Sequence, residues 1–427
     1  MNGRGNTFKM LALAVLALAV TAVEAQAPAN RHEGVATCAS SLCHGSSKPL
    51  QAYEVLQNEY TTWSQFDPHS KAYRTLLGKQ SQDIARRMGI GPAHEAPACL
   101  ACHADAVPVA QRGARFHLDD GVGCEACHGG AEKWLSTHYQ APKVARSESL
   151  TRGLVALENA DTLAANCLGC HVGDQNRYAN HRMMAAGHPR IVFELDTYLE
   201  LWRTSGGREH YRKKAPTPHS ALWAKGLIEA SRRQLDLIER HGTGRLGPIP
   251  DLGVFACHSC HRDLRFAAWG GSGSASAAPG DLRWQDAHLL VLQRVVAGLR
   301  LSSGEALDRG VTALQKSAHG DVTSLRTALT QTREALQAVD RQLASVKWTP
   351  AELNQVAEVL VNASRRGAFP DPAAAEQAAM GMVVMLAGLQ LDQRKRADID
   401  RLFDELRDDN AFDQKRFVKW MSVLSAR

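Results

Sequence analysis

Four copies of the five-residue pattern C-x-x-C-H constrain this chain more than any other feature of its sequence. The pattern is the attachment signature for c-type haem. Two thiols form thioethers with the haem, and the adjacent imidazole is thereby held under the iron as its proximal ligand. The cysteine pairs and the histidines that follow them are Cys99, Cys102 and His103; Cys124, Cys127 and His128; Cys167, Cys170 and His171; and Cys257, Cys260 and His261.

One more attachment site is predicted near the amino terminus, where Cys38, Cys43 and His44 form C-x4-C-H. A longer loop can still span two vinyl groups, although a single thioether from Cys43, with Cys38 idle, is an alternative. Five sites consume all ten cysteines, so we expect five covalent c-type haems instead of a disulfide framework. Zinc is disfavoured, because structural zinc needs four ligands at finger-like spacings, which these segments do not provide.

The second axial ligands are sought among the remaining histidines of the chain. His69 follows Asp67-Pro68, a pair that starts a helix and places the imidazole on its first turn. His138 ends a predicted helical stretch, 131–138, that can turn back across a neighbouring haem. Weaker candidates, each more typical of ordinary histidines, are His94, His117, His219 and His288.

Two further distal candidates, His181 and His188, are seven residues apart. On one helix they would face the same side, two turns from each other, and could serve different haems. His258 lies inside an attachment loop, from which it cannot reach back to the iron. The predicted iron ligands are therefore five proximal histidines and the distal set of His69, His138, His181 and His188.

The chain divides into four predicted segments. Residues 1–25 have a basic start, a short apolar stretch and a small-residue end, which together predict a secretory signal peptide and a periplasmic location. Residues 26–269 form the predicted pentahaem domain, and the Gly/Ser-rich residues 270–280 form a linker. No membrane span is expected after cleavage, because even the apolar stretch 380–389 contains two glycines and is better interpreted as a buried helix.

Residues 281–427 contain no cysteine and are predicted to form a haem-free helical bundle domain. Apolar residues from 322 to 346 recur in steps of three and four, which favours one helix of an antiparallel bundle. Thr349 begins a capping box, and Asp371-Pro372 opens another helix. Docking or dimerisation through the 322–346 seam is a second interpretation, but burial within the bundle is favoured.

The haem part resembles the multihaem cytochromes related to cytochrome c-554 of ammonia oxidisers. The matching stretches are 58–69, 121–129 and 181–195, within a region that spans about 35–261. The resemblance implies a mostly helical, loop-rich fold with stacked haem pairs and mainly bis-histidine ligation. The C-x4-C-H spacing, a fifth site near the linker at Cys257–His261 and the appended helices depart from the tetrahaem pattern of that family.

The favoured interpretation is a mainly α, periplasmic electron carrier that works between redox partners, such as other cytochromes or a quinone-linked or periplasmic oxidoreductase. The alternative is a haem enzyme that acts on a small nitrogen or sulfur compound at one five-coordinate iron. A gas sensor or an interaction scaffold is a third, weaker interpretation. The formal charge of +6 is too mild to indicate a nucleic-acid partner, and no nucleotide-binding or hydrolase motif is present.

Overall fold

The computed structural model describes residues 30–50, 55–140, 143–204, 217–243, 249–261 and 282–425. The predicted signal peptide and linker lie outside these ranges. Within them the chain forms nineteen α-helices, short 3-10 turns and two isolated β-bridges. The prediction of a mainly α fold is confirmed.

The first half of the described chain consists of short helices joined by long loops. Its buried apolar clusters are small; one of them contains only Leu76, Ala85 and Ala93. Such clusters cannot supply the apolar burial of an ordinary domain, as expected where bound haems form the core. The helices are α1 Val35–Cys38, α2 Glu59–Phe66, α3 Ala72–Leu77, α4 Lys79–Met88, α5 Pro97–His103, α6 Cys124–His128, α7 Leu135–His138, α8 Arg146–Thr151, α9 Ala160–His171, α10 His181–Ala185 and α11 Leu195–Thr204.

The second half forms longer helices around one large apolar core. Its helices are α12 His219–Gly242, α13 Ala287–Gly298, α14 Gly304–Lys316, α15 Val322–Leu343, α16 Pro350–Arg365, α17 Pro372–Gly388, α18 Arg396–Glu405 and α19 Gln414–Val423. The predicted capping box at Thr349 is present, and the Asp371 side chain caps α17 by accepting from the amide of Ala374. Local cap chemistry therefore sets where these two helices begin.

Helix α12 belongs to the same apolar core as the cysteine-free helices that follow it. Trp223 on α12 is completely buried, and its ring lies 6.4 Å from that of Trp348. A Cβ added at Gly381 would lie 2.6 Å from Trp223, so glycine there lets α12 and α17 approach closely. The packing therefore joins the predicted haem-bearing part directly to the carboxyl-terminal helices.

The predicted seam lies inside this core. Leu329, Leu336 and Val339 on α15 are at most 1% exposed. The stretch 380–389, which the sequence identifies as a buried helix, lies at the end of α17 and contributes Met382 and Met385 to the same core. In the described part of the chain, no helix is long and apolar enough to cross a membrane.

Candidate haem-binding site

The predicted attachment motifs lie on short helical turns that bring each histidine next to its two thiols. The five motifs are numbered from the amino terminus. The second, Cys99–His103, forms the end of α5; the third, Cys124–His128, forms α6; the fourth, Cys167–His171, ends α9; and the fifth, Cys257–His261, includes the 3-10 turn Cys257–Ser259. The first motif follows α1 in a turn where the amide of His44 donates to the carbonyl of Cys38 over 3.1 Å. None of the ten cysteines, all of which lie within the described ranges, forms a disulfide, so each motif keeps the two thiols that thioether formation requires.

The first motif faces a histidine from α7. The rings of His44 and His138 are 6.2 Å apart and nearly parallel, at 13°. Nδ1 of His44 donates to the carboxylate of Glu59 over 2.9 Å, and Nδ1 of His138 donates to the carbonyl of Leu135 over 2.8 Å. With each Nδ1 engaged, Nε2 of each ring is left for iron, an arrangement typical of ligating histidines.

The helix that carries His138 is shorter than predicted. Only residues 135–138 are helical, because the amide of Ala131 donates to the Glu125 carboxylate at 2.7 Å and ties the chain to α6. The shorter helix still carries His138 to the position opposite His44.

A second pair joins the two ends of the amino-terminal half. The rings of His69 and His171 are 6.0 Å apart at 82°. Asp67 accepts hydrogen bonds from both the backbone amide and Nδ1 of His69, at 2.9 and 2.8 Å. The same carboxylate therefore caps the 3-10 turn Pro68–Lys71 and orients the ring of His69. The ring of Phe193 stacks on the ring of His171, with the two ring centres 4.2 Å apart.

The other two distal candidates separate at the end of α10. This helix ends at Ala185 and Gly187 follows with φ +112°, so His181 and His188 do not share one helical face as predicted. The ring of His188 lies 6.5 Å from that of His103, and the ring of His181 lies 6.2 Å from that of His261. One short segment therefore faces two attachment motifs.

These separations fit a six-coordinate haem. With about 2 Å between iron and each nitrogen, and about 1.1 Å from nitrogen to ring centre, two axial imidazoles should be about 6.2 Å apart. The four observed pairs span 6.0 to 6.5 Å. The separation of each pair of rings therefore matches that of two imidazoles on one iron.

The pKa values of the paired histidines follow their partners. A hydrogen bond to Glu59 raises the pKa of His44, and one to Asp67 raises that of His69. Burial lowers the pKa of His171 to about 4 and also lowers that of His138. Burial therefore favours the neutral imidazole that binds iron, while the two carboxylates make their histidines more basic ligands.

The third motif is fixed by a buried carboxylate. Glu125, between Cys124 and Cys127, is 4% exposed and accepts three backbone hydrogen bonds of 2.7 Å each. The four distal candidates all lie opposite other motifs, so the ligand opposite His128 stays outside the sequence predictions.

The weaker histidine candidates lie in ordinary structural contacts. The ring of His94 meets that of Tyr73 edge-on at 6.4 Å, and Nδ1 of His219 lies 2.9 Å from Asp196. His288 is half-buried on α13, where burial lowers its pKa to about 4. His117 lines a small cavity beside α6.

Sequence reasoning overlooked the contacts that hold the fifth motif. His258 is no ligand candidate, but its Nε2 lies 3.1 Å from the carbonyl oxygen of Asp409 and its ring packs against Phe412. Phe255 stacks on Trp284 with ring centres 4.4 Å apart. These long-range contacts leave no local signal in the sequence, apart from the unusual histidine between Cys257 and Cys260.

Residues 37–129 match the family model described as cytochrome c554 and c-prime. Comparisons with curated proteins and with solved structures give no match. Among the described residues, no group of three or more histidine, cysteine or acidic side chains could hold a metal ion. A haem iron takes only two protein ligands, since the porphyrin supplies the rest, so paired imidazoles are the relevant arrangement.

Proposed function

We propose that this chain, which its match over residues 37–129 relates to the cytochromes c, is a periplasmic electron carrier with five covalent haems. The observation that carries the proposal is the set of four imidazole pairs, each made of one motif histidine and one distal candidate. When bound, the haems supply one-electron chemistry; the chain holds, spaces and shields them.

The imidazole pairs support the assignment of axial ligands. We assign His138 to the first motif, His188 to the second, His69 to the fourth and His181 to the fifth. Two histidine ligands fill both axial positions and favour a low reduction potential, whereas methionine would raise it. Filled axial positions at these four motifs would exclude small substrates there, which suits a carrier better than an enzyme.

Contacts between attachment loops support a connected array of haems. The Cys38 thiol interacts with that of Cys124, and the Cys102 thiol interacts with that of Cys170. The first motif therefore adjoins the third, and the second adjoins the fourth. The segment 181–188 links the second motif to the fifth, and the thiols of Cys127 and Cys167 are close enough to interact electrostatically, which joins the third motif to the fourth. Electrons can therefore pass through one continuous set of sites.

The periplasmic location and the partners remain part of the proposal. They rest on the predicted signal peptide and on the thioether chemistry of the motifs. We expect redox proteins as partners, namely other cytochromes or a quinone-linked or periplasmic oxidoreductase. The apolar seam on α15 is buried within this chain, so docking would have to use other surfaces of the carboxyl-terminal helices.

The test is to mature the chain with a cytochrome c maturation system and record its mass, its low-temperature EPR spectrum and its reaction with nitric oxide. Five haem masses, low-spin signals and no rapid ligand binding are expected. A Cys38→Ser variant, matched by Ser40→Ala in the same loop, tests the first motif. Four haems in the unaltered chain would reject that motif, and a stoichiometric high-spin haem that binds nitric oxide would favour the enzyme interpretation.

A further inference from the structure

Two aromatic side chains beside the fifth motif present polar atoms that are buried and have no hydrogen-bond partner. The rings of Tyr178 and His241 lie 4.6 Å apart at 32°. Among the described residues, none accepts from Oη of Tyr178 or pairs with Nε2 of His241, and both atoms are buried. Buried donors are almost always satisfied in native proteins, because an unsatisfied one costs about 1–3 kcal/mol.

A third unsatisfied donor lies on the same helix turn. Nε of Arg240 is buried without a partner in the described part of the chain, and its positive charge is close enough to lower the pKa of His241, although burial is the larger cause. The corner formed by Tyr178, Arg240 and His241 therefore holds more hydrogen-bond donors than acceptors, together with a positive charge. An acceptor with negative charge would satisfy both.

The nearest acidic side chain is already engaged. Oδ1 of Asp251 accepts from the amide of Gly253 at 2.8 Å and from the amide of His181 at 3.1 Å. These bonds fix the start of α10, which carries His181. Since Asp251 is used in this way, the Tyr178 and His241 donors remain directed at something else.

The corner adjoins the fifth attachment site. A Cβ added at Gly253 would lie 2.6 Å from Oη of Tyr178 and 3.0 Å from the backbone nitrogen of His181. His181 in turn faces His261 across 6.2 Å. Glycine at 253 thus lets the backbone pack closely against the tyrosine hydroxyl and the start of α10, which places Tyr178 Oη beside the segment that carries a predicted axial ligand.

We infer that Tyr178 Oη and His241 Nε2 donate hydrogen bonds to a propionate carboxylate of the haem attached through Cys257 and Cys260. The inference rests on the proposed function, because it requires a haem at the fifth motif. A carboxylate has two oxygens and accepts several hydrogen bonds, which matches the donors present. The positive charge of Arg240 offsets the negative charge of the propionate. The thioether bonds to Cys257 and Cys260 bring the propionate to this place without a separate binding step.

The two donors have a consequence for electron transfer. Hydrogen bonds disperse the negative charge of a carboxylate, and an uncompensated negative charge near an iron favours its ferric state. Removing the tyrosine hydroxyl should therefore lower the reduction potential of one haem and leave the other four unchanged.

The experiment compares Tyr178→Phe with Tyr139→Phe in the full, haem-loaded chain. Tyr139 follows another predicted ligand but is 68% exposed, so it controls for the loss of a hydroxyl near a haem. The haem content of each variant is measured from its mass, and its reduction potentials are measured by spectroelectrochemical titration. We expect five haems in both, a downward shift of one component in Tyr178→Phe, and no shift in Tyr139→Phe.

Unchanged potentials in Tyr178→Phe, or an equal shift of all five components, would overturn the inference. A shift that appears only when acetate is present would also overturn it, because the acceptor would then be a free carboxylate. His241→Leu, which has no donor, provides a second variant if Tyr178→Phe does not load haem, and the same single downward shift is expected. A wild-type chain with fewer than five haems would instead count against the proposed function.

Discussion

Glu125 offers the sharpest test of how the third attachment motif is held. Its carboxylate accepts from the amides of Glu33 and Ala131 through Oε1 and from the amide of Gly34 through Oε2. All three bonds measure 2.7 Å, and the side chain is 4% exposed. The carboxylate thereby joins the segment before α1 to α6 and fixes Cys124 relative to Cys38.

In Glu125→Gln an amide NH2 group replaces one carboxylate oxygen. The remaining oxygen keeps two hydrogen bonds, and the loss of its negative charge weakens each of them by about 1 kcal/mol. The amide of Gly34 then faces another donor, and leaving this buried N–H unsatisfied costs about 1–3 kcal/mol. The sum is about 4 kcal/mol of local stability. Since 1.4 kcal/mol corresponds to a factor of ten, exchange of the Gly34 amide should accelerate about 10³-fold.

The assay is hydrogen exchange of residues 33, 34 and 131, read by mass spectrometry on the haem-loaded chain. Glu148→Gln is the matched control, because Glu148 lies on the surface helix α8, where its pair with Arg152 is half exposed and contributes little. Exchange of the Gly34 amide within about threefold of wild type would refute the reasoning. Equal acceleration in both variants would do so as well.

Three other perturbations have defined outcomes. His69→Met should raise the potential of one haem, because methionine replaces an imidazole ligand; a redox titration without such a shift would reject that assignment. His258→Ala should retain five haems but lose about 1 kcal/mol of stability from the bond to Asp409, measured by thermal melts, and an unaltered melt would contradict this. Burial raises the pKa of Glu194 from 4.5 to about 7, so the folded state binds more protons and stability should fall by about 3 kcal/mol as pH rises between these values. Glu194→Gln should remove that slope in urea titrations, and an equal slope in both proteins would disprove the cause.

The sequence was sufficient where the physical determinants are local. Thiol and imidazole within five residues define an attachment site, and a capping residue with proline defines a helix start, as at Thr349 and Asp371. The apolar steps of three and four from 322 to 346 likewise predict a helix, which is present as α15, because such a period is a property of neighbouring residues. These features need no knowledge of the rest of the fold.

The pairing of histidines could not be obtained in this way. The rings that face each other are about 80 to 100 residues apart in the sequence, and each pairing depends on how several loops fold together. His181 and His188 illustrate the difficulty, since a helix end and one glycine direct them to different motifs. The spacing of two histidines cannot reveal where the intervening helix stops.

The cysteine-free helices are tied to the haem sites more closely than the distribution of cysteines suggests. The carbonyl of Phe193, whose ring stacks on His171, accepts from Nε2 of Gln377 at 3.1 Å. Helix α12, with the buried Trp223, shares their core. Deleting residues 281–427 would therefore expose this core and loosen the fourth and fifth sites together. A loss of electron transfer in such a truncation would not identify a docking surface; substitutions on the exposed faces of α14 and α18 that leave haem content and melting unchanged would do so.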